Sequence, residues 1–503
     1  MSDNLVDLFR SRSPAAAKIL IETPDGRIIT YGEAYEMAAR FMATLTGLGV
    51  KPDDRVMVKV EKSPEASILY LAVLAMGAIF VPLNPEYTFA ELDYFIGDAE
   101  PRVIVCRPEE ASEVSKLTGR YGVSSCLTLG TDGSGSFLAM ANSASTDFAV
   151  VPRDKDDLAA ILYTSGTTGR SKGAMLTHGN LASNALALLE IWKFTSDDIL
   201  LHALPIFHSH GLFVGTNVTL TAGASMIFLP KFDADAIIAA LPRATAMMGV
   251  PTFYTRLLKD PRLTRDLVAH MRLFVSGSAP LLAETHREFE ARTGHKILER
   301  YGMTETNMNT SNPYDGDRVP GSVGFPLPGV EVRIVDPDSG KALPEGEVGM
   351  VELRGPNVFK GYWGNPEKTD EAFRQDGFFI TGDLGHIDER GYLHLSGREK
   401  DLIISGGFNV YPTEVEAEID ALPGVVESAV VGVTHPDFGE GVTAVVVARD
   451  ALDEAGVIAA LGKRLAKYKI PKRVITVPEL PRNTMGKVQK NLLREQYKTL
   501  YVS

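Results

Sequence analysis

The sequence has 503 residues and a formal net charge of −13, because 51 Lys and Arg face 64 Asp and Glu. Its 45% hydrophobic and 23% charged content is that of an ordinary globular protein, which excludes disorder, collagen and small disulfide scaffolds. The acidic balance argues against nucleic-acid or anionic-membrane partners, which bind clustered basic surfaces. Any anionic ligand must therefore meet local positive charge.

The cysteines and the apolar stretches indicate the cellular compartment. Cys106 and Cys126 are the only cysteines, too few for a disulfide framework and without the ligand spacing of a zinc site. Residues 1–14 have no basic segment leading into an apolar core, so they do not form a secretory signal. The longest apolar stretch, residues 68–83, is too short for a membrane span and is interpreted as a buried helix followed by a buried strand. We expect a cytoplasmic protein with no membrane contact.

The hydrophobic pattern changes along the chain. Up to about residue 320, helical patterns alternate with short apolar runs, which predicts βαβ units and a parallel sheet. Short alternating strands with Gly and Pro then predict antiparallel β structure. Beyond Arg398, a helix over 412–422 and strands near 425–433 and 441–449 predict a small α+β domain. We place its boundary near 397–401.

Residues 163–173, YTSGTTGRSKG, are the most informative segment. They follow an apolar run and precede a helical pattern, and their glycines allow the backbone to approach a ligand closely. Hydroxyls, backbone N–H groups and one lysine suit a polyphosphate, although a plain Ser/Thr/Gly surface loop is the alternative. The candidate ATP-binding residues here are Thr164, Ser165, Gly166, Thr167, Thr168, Gly169 and Lys172. A Walker A loop is disfavoured because Ser171 precedes Lys172 and Gly173 follows it.

The loop resembles the signature of the adenylate-forming superfamily, which includes acyl-CoA synthetases and stand-alone adenylation domains. Five further segments follow in the family's order: LPIFHSHGL at 204–212, YGMTE at 301–305, TGD at 381–383, GREKD at 397–401 and PRNTMGK at 481–487. The resemblance covers the whole chain and implies an α/β fold. Residues 1–397 would form a large domain of two α/β subdomains plus a β-barrel-like subdomain, and residues 398–503 a mobile α+β domain.

The resemblance implies roles for the nucleotide. The ring of Tyr301 would face adenine. Backbone groups of Glu299 and Gly302 would contact the edge of the adenine, with Met303 nearby. Asp383 would accept hydrogen bonds from the ribose hydroxyls, supported by Arg398, because a carboxylate only accepts and a diol donates.

Adenylation joins two anions, a carboxylate and the α-phosphate of ATP, which must be positioned and screened. By resemblance, Lys487 is the catalytic lysine, Thr304 contacts phosphate oxygens and Glu305 holds Mg²⁺, a cation that prefers oxygen ligands. Relatives silence the lysine by acetylation, which removes its charge, so a protein acetyltransferase and deacetylase are potential partners. Lys400 corresponds to the hinge, and Ser405, Gly406 and Gly407 to the face that binds CoA, although such a segment could also be a plain turn.

The acid must be predicted separately, because a fold does not name a substrate. The candidate acyl-pocket residues are His208, Arg256, Ser276, Gly277 and Met303. Arg256 could bind a second carboxylate in bidentate fashion, and His208 could add a donor at the reacting centre. The alternatives are an arginine on the exposed side of its helix and a histidine that only packs.

Longer strings around YGMTE and PRNTMGK look most like the malonyl-CoA synthetases. The resemblance therefore implies an acid-thiol ligase that uses ATP, Mg²⁺ and CoA to activate malonate or methylmalonate, releasing AMP and pyrophosphate. Two enzymatic alternatives remain open: a ligase for another short carboxylic acid, and a stand-alone adenylation domain that loads a carrier protein. A non-enzymatic nucleotide sensor is a third alternative, but it would not need the lysine, the glutamate and the phosphate loop together.

Overall fold

The computed structural model describes residues 2–164, 171–450, 452–483 and 486–501. Its strands, numbered in chain order, are β1 Ile19–Glu22, β2 Ile28–Thr30, β3 Arg55–Lys59, β4 Ile79–Pro82, β5 Val103–Cys106, β6 Ser125–Thr128, β7 Leu158–Tyr163, β8 Gly173–Thr177, β9 Ile199–His202, β10 Ser225–Phe228, β11 Ala246–Gly249, β12 Leu273–Ser276, β13 Leu298–Met303, β14 Asn307–Ser311, β15 Phe325–Pro326, β16 Glu331–Val335, β17 Gly349–Arg354, β18 Gly361–Tyr362, β19 Phe379–Ile387, β20 Leu393–Arg398, β21 Ile403–Ser405, β22 Phe408–Val410, β23 Val425–His435, β24 Gly439–Ala448 and β25 Arg473–Thr476.

The α-helices, numbered in the same way, are α1 Leu5–Ser11, α2 Tyr31–Gly47, α3 Pro64–Ala75, α4 Phe89–Ala99, α5 Ala111–Tyr121, α6 Ser136–Ala141, α7 His178–Ile191, α8 Asn217–Ala222, α9 Ala234–Ala240, α10 Pro251–Leu258, α11 Ala283–Thr293, α12 Pro366–Ala372, α13 Pro412–Asp420, α14 Glu454–Leu461 and α15 Lys490–Gln496. A π-helical segment, His210–Thr216, leads directly into α8.

Two large sheets form the body of the protein. The first has nine strands in the order β15-β14-β13-β12-β11-β9-β10-β1-β2, and the second has seven in the order β18-β8-β7-β4-β3-β5-β6. Their central strands are parallel, which confirms the α/β class predicted from helices alternating with apolar runs. The antiparallel pairs β7-β8 and β13-β14 lie where the phosphate loop and the YGMTE segment occur.

The apolar stretch at 68–83 is a buried helix and strand, as predicted. Ser63 caps α3 by accepting a hydrogen bond from the Ala66 amide, and Pro64 occupies the first turn, where its missing N–H costs nothing. Every residue of α3 is buried, which explains why its sequence is mostly apolar. Of the helices in the described residues, none combines the length and apolar character needed to cross a bilayer. The cytoplasmic location stays a prediction.

The third and fourth sheets lie in the carboxy-terminal part of the chain. A four-stranded antiparallel sheet, β16-β17-β19-β20, stands at the place of the predicted β-barrel-like subdomain. After β20 the chain makes a short 3₁₀ turn, Glu399–Asp401, and enters β21 of the last sheet at Ile403. In that last domain Val415 and Ile419 of α13 are buried on one face, since residues four apart on a helix lie on the same side. The domain boundary at 397/398 remains a prediction, although it falls at this change of sheet.

Candidate active site

The described ends of the phosphate loop lie close together. The Thr164 amide donates to the Lys172 carbonyl at 2.9 Å, so the two ends are held in antiparallel register beyond β7 and β8. The Lys172 ammonium lies 4.0 Å from the ring centroid of Tyr362, a cation–π contact. The predicted phosphate-binding residues Ser165, Gly166, Thr167, Thr168 and Gly169 lie outside the described residues.

Glu305 is connected to this loop through Tyr362. The short strand β18 pairs with β8, and its Tyr362 hydroxyl donates to Glu305 Oε1 at 3.0 Å. Glu305 is buried and lies with Thr304 in the turn between β13 and β14. Sequence reasoning missed Tyr362, because no local pattern shows that residue 362 approaches residue 305. Tyr362 therefore contacts both a buried carboxylate and the lysine of the phosphate loop.

Three predicted nucleotide-binding residues converge at the junction of β13, β19 and β20. Asp383 and Arg398 are opposite each other in register, and Arg398 Nε lies 2.7 Å from Asp383 Oδ1. Arg398 also donates to the Thr381 carbonyl at 3.2 Å, and the Tyr301 hydroxyl donates to Asp383 Oδ2. Burial, and then the charge of Asp383, raises the pKa of the Tyr301 phenol, which therefore stays a neutral donor. Tyr301 and Asp383 thus hold each other in place.

Asp383→Ala should weaken the nucleotide site more than the loss of a surface carboxylate would. The change removes an acceptor for a diol and leaves the half-buried Arg398 guanidinium and the buried Tyr301 hydroxyl without their partner. Loss of one charged hydrogen-bond partner costs about 1.5–3 kcal/mol, so we expect the KM for ATP to rise about 10- to 100-fold. Steady-state kinetics at saturating acid would measure it. An ATP KM unchanged from the wild type would contradict this role.

The segment 481–487 brings Lys487 to the same cleft. Asn483 Oδ1 accepts from the Lys487 amide at 3.0 Å, and a Cβ at Gly486 would lie 3.7 Å from Thr252 Oγ1 of α10. Solvent still reaches the Lys487 side chain, but the surrounding protein lowers the pKa of its ammonium. Arg398 also lowers that pKa, while Asp383 and Glu305 oppose the shift. The catalytic lysine predicted from sequence therefore lies among the predicted nucleotide residues.

The acid side of the cleft begins at His208. Burial, and then the charge of Lys487, lowers the pKa of His208 to about 3, so the ring is neutral at ordinary pH. Ser276 ends β12, and its buried hydroxyl has no hydrogen-bond partner among the described residues. Met303 is half-buried, with its sulfur 3.8 Å from the Tyr301 hydroxyl. His208 follows β9, Ser276 ends β12 and Met303 ends β13, so all three lie in or after strands of the nine-stranded sheet, whose β13 also carries Tyr301.

Arg300 is the principal residue that sequence reasoning missed. It is buried, and its Nε and Nη2 atoms have no partner among the described residues. Its guanidinium lies across Gly277, where a Cβ would come within 2.4 Å of it, so a side chain there would displace the guanidinium. Arg300 and Lys487 are close enough for the arginine to lower the pKa of the lysine. A buried, unsatisfied guanidinium at this place would bind an anion.

The adjacent Glu299 does not neutralise this arginine. Glu299 Oε1 accepts from the Leu281 amide at 3.1 Å, and burial raises the pKa of its carboxyl to about 8. Burial also lowers the pKa of Arg300 to about 9, which leaves it mainly charged at pH 7. Alternation along β13 places residues 299 and 301 on one face and 300 on the other. That alternation, with a charge inside a buried strand, was the available sequence signal.

His210 completes the acid side of the cleft. The ring is buried, its Nδ1 lies 3.2 Å from Ser278 Oγ, and its Nε2 has no partner among the described residues. Burial, and then the charge of Arg300, holds the pKa of His210 well below its usual value. Arg300, His210 and Ser276 therefore present unsatisfied polar atoms to one buried region.

Arg256 does not join this group. α10 turns Phe253, Tyr254 and Leu257 inward, and Arg256 is exposed on its other face, 5.4 Å from the ring centroid of Phe232. The binding of a second carboxylate by Arg256 stays a prediction. Helical periodicity puts residue 256 opposite the buried residues of α10, whereas Arg300 of β13 is buried.

The remaining predicted residues lie at two other places. Gly302 has no room for a side chain, because a Cβ would lie 2.0 Å from the Asn307 carbonyl oxygen. Lys400 is exposed in the 3₁₀ turn between the third and fourth sheets. Ser405 is buried, and Gly406 and Gly407 form the exposed turn of the β21-β22 hairpin, with φ of 59° and 82°. Their roles as hinge and CoA-binding residues stay predictions.

Comparisons with known proteins agree with this geometry. The family model for AMP-binding enzymes matches residues 10–363, and that for the carboxy-terminal domain of AMP-binding enzymes matches residues 414–487. A feruloyl-CoA synthase from Amycolatopsis sp. is 37% identical over 94% of each chain. A malonate–CoA ligase from Arabidopsis thaliana is 34% identical over 98% of this chain and 89% of its own.

Solved structures extend the likeness to the arrangement of the domains. ATP-bound MatB from Rhodopseudomonas palustris is 61% identical over 100% of both chains, with a TM-score of 0.98. The apo form of the same protein has a TM-score of 0.87 over the same coverage, so the present structure is nearer to the ATP-bound arrangement. The predicted fold class and superfamily are confirmed. The chain belongs to the AMP-binding enzyme family.

Proposed function

We propose that this protein ligates malonate, or its methyl derivative, to coenzyme A through an acyl-adenylate, with release of AMP and pyrophosphate. The observation that carries the proposal is the buried, unsatisfied guanidinium of Arg300 beside Lys487. A monocarboxylic acid would leave that charge without a partner, whereas a short dicarboxylic acid supplies one. Malonate–CoA ligases are among its relatives, including the mouse enzyme at 35% identity over 93% of this chain.

Each residue contributes one part of the reaction. Asp383, held by Arg398, would bind the ribose. Lys172 would screen the phosphates. Lys487 would lie between the attacking carboxylate and the α-phosphate, where it screens two anions and stabilises the charge that develops. His208, neutral at ordinary pH, would offer a hydrogen bond without adding charge. Arg300 would fix the remote carboxylate, so that the other one points at the phosphate.

The residues of this site suit Mg²⁺ held by one carboxylate together with substrate phosphates. The described part of the chain contains no cluster of three or more His, Cys, Asp or Glu that could form an all-protein cage. Glu305 is a single buried carboxylate beside the phosphate loop, and Mg²⁺ is commonly held by one or two carboxylates plus substrate phosphates. Glu305 would hold the ion, with Thr304 contacting phosphate oxygens. When bound, the ion would neutralise phosphate charge.

Two further roles rest on the domain arrangement. Lys400 would be the hinge about which the small domain turns after adenylation, and the hairpin containing Ser405, Gly406 and Gly407 would then flank pantetheine. Acetylation of Lys487 by a protein acetyltransferase would switch off adenylation by removing its charge, and a deacetylase would restore it. Solvent reaches Lys487 in this structure, which is compatible with modification.

A panel of carboxylic acids tests the proposed function. The full-length protein is incubated with ATP, Mg²⁺ and CoA, and AMP release is measured for malonate, methylmalonate, succinate, propionate and ferulate. We expect malonate or methylmalonate to exceed propionate in kcat/KM by about 30-fold or more, because propionate leaves Arg300 unpaired. Preference for ferulate or a long monoacid would overturn the substrate while leaving the adenylating chemistry intact.

The thiol acceptor needs its own control. A stand-alone adenylation domain would perform malonate-dependent pyrophosphate exchange. It would release AMP slowly when free CoA is the only thiol acceptor. We expect free CoA to accelerate AMP release and malonyl-CoA to accumulate in equal amount. Exchange without CoA-dependent turnover would favour the carrier-loading alternative.

A further inference from the structure

We propose that Lys62 and His202 are positioning residues for the acid pocket, because their buried hydrogen-bond chain fixes the segment that presents His210 beside Arg300. The inference rests on the proposed function, since it concerns how the pocket selects an acid with a second carboxylate. It assigns a role to two buried basic residues that adenylation itself does not use.

Lys62 is an unusual buried cation. It lies beyond β3, its side chain is 7% exposed, and it makes no ion pair with any described residue. Its ammonium donates to the His202 carbonyl at 2.7 Å and to His202 Nδ1 at 2.9 Å, and it lies 4.1 Å from the ring centroid of Phe228. Burial holds the pKa of Lys62 well below its usual value. Lysine is rarely buried without a counterion, so this one has a specific use.

His202 connects Lys62 to the segment that begins at His210. Its Nε2 lies 2.9 Å from the Gly211 carbonyl oxygen, which can only accept, so Nε2 carries the proton. Burial, and then the charge of Lys62, keeps the pKa of His202 low, so the ring is neutral and its Nδ1 accepts from Lys62. The hydrogen bonds therefore run in one direction: Lys62 donates to His202, and His202 donates to the Gly211 carbonyl.

Gly211 lies at the start of the π-helical segment His210–Thr216. Its carbonyl also accepts from Thr216 Oγ1 at 3.1 Å, and a Cβ at this residue would lie 2.0 Å from the Pro205 carbonyl oxygen. The segment is therefore fixed from several sides and has little room to shift. π-Helical turns are frequent at functional sites because they reorient single side chains.

His210 is the side chain that this segment orients. It precedes Gly211 directly, its Nδ1 lies 3.2 Å from Ser278 Oγ, and Arg300 lies across the neighbouring Gly277. A displacement of the Gly211 carbonyl would therefore shift the His210 backbone and with it the ring. The charged or titratable groups that act on His210 are Arg300, His202 and His208. Loss of the chain should therefore weaken the hold on the remote carboxylate and spare the carboxylate that reacts with ATP.

Four full-length variants test the inference through pyrophosphate exchange with malonate and with propionate. Lys62→Met and His202→Leu should lower the ratio of kcat/KM for malonate over propionate by roughly 10- to 100-fold, mainly through the malonate KM, as expected for a misplaced binding group. The ATP KM should change by less than about 2-fold. His202→Gln should restore most of the ratio, because its amide can donate to Gly211 and accept from Lys62.

Lys59→Met is the matched control. Lys59 is an equally buried lysine of β3, but its ammonium binds Glu110 and the Pro85 carbonyl, both at 2.6 Å. The Lys59→Met variant should have a lower unfolding temperature. Its ratio of kcat/KM for malonate over propionate should be unchanged. Equal losses with both acids in Lys62→Met and His202→Leu, or no recovery in His202→Gln, would overturn the inference. An inactive wild type with malonate would instead overturn the proposed function itself.

Discussion

Lys487→Ala is expected to remove adenylation and little else. The lysine ammonium is the cation placed to screen the attacking carboxylate from the α-phosphate, and alanine leaves that repulsion unopposed. Removing one preorganised donor of developing charge costs about 100- to 1,000-fold in rate, and we expect at least that loss in malonate-dependent pyrophosphate exchange. ATP binding, measured by calorimetry, should change little, because Tyr301, Asp383 and Arg398 remain connected.

The second half-reaction provides the control for Lys487. Supplied with preformed malonyl-adenylate and CoA, the Lys487→Ala variant should form the thioester at a rate close to that of the wild type, since no charge has to be screened at the α-phosphate. A comparable loss in both half-reactions would contradict the assignment. Lys490→Ala is a suitable comparison, because Lys490 is a neighbouring lysine that pairs with Glu416 at 2.6 Å within the small domain.

Arg300→Ala is expected to remove the preference for a dicarboxylic acid. Truncating one partner of a buried charge pair costs about 2–5 kcal/mol. The kcat/KM for malonate should therefore fall about 30- to several-thousand-fold. Activity with propionate should fall less or rise, because the variant no longer buries an unpaired guanidinium beside a methyl group. Exchange assays with the two acids at saturating ATP measure both effects.

Arg256→Ala separates burial from charge in this experiment. It removes the same charge from an exposed site on α10, where Arg256 stacks on Phe232. We expect its kcat/KM for malonate to stay within about 3-fold of the wild type, since exposed charges contribute little. If Arg256→Ala lost malonate activity and Arg300→Ala kept it, the second carboxylate would have to be reassigned to Arg256.

The sequence by itself determined the fold class and the superfamily, and it predicted nucleotide residues that the structure brings close together. Alternating helical patterns and apolar runs predicted the parallel sheets, because both periodicities are local properties of a chain that buries one face. Tyr301, Asp383, Arg398 and Lys487 were predicted because they belong to short motifs with a fixed order. The stretch at 68–83 could be assigned to the protein interior because its length and its Gly and Pro exclude a membrane span.

Only the tertiary structure decided which of two candidate arginines is buried. Arg256 and Arg300 are both arginines next to apolar residues in the sequence, but one lies on the outer face of a helix and the other lies across Gly277 inside the protein. Which of them is desolvated depends on what packs against it, and that is a contact between segments distant in sequence. The links from Tyr362 to Glu305 and from Lys62 to His202 are of the same kind. Local periodicity predicts which face of an element is buried, whereas the partner that covers it is fixed only when the chain folds.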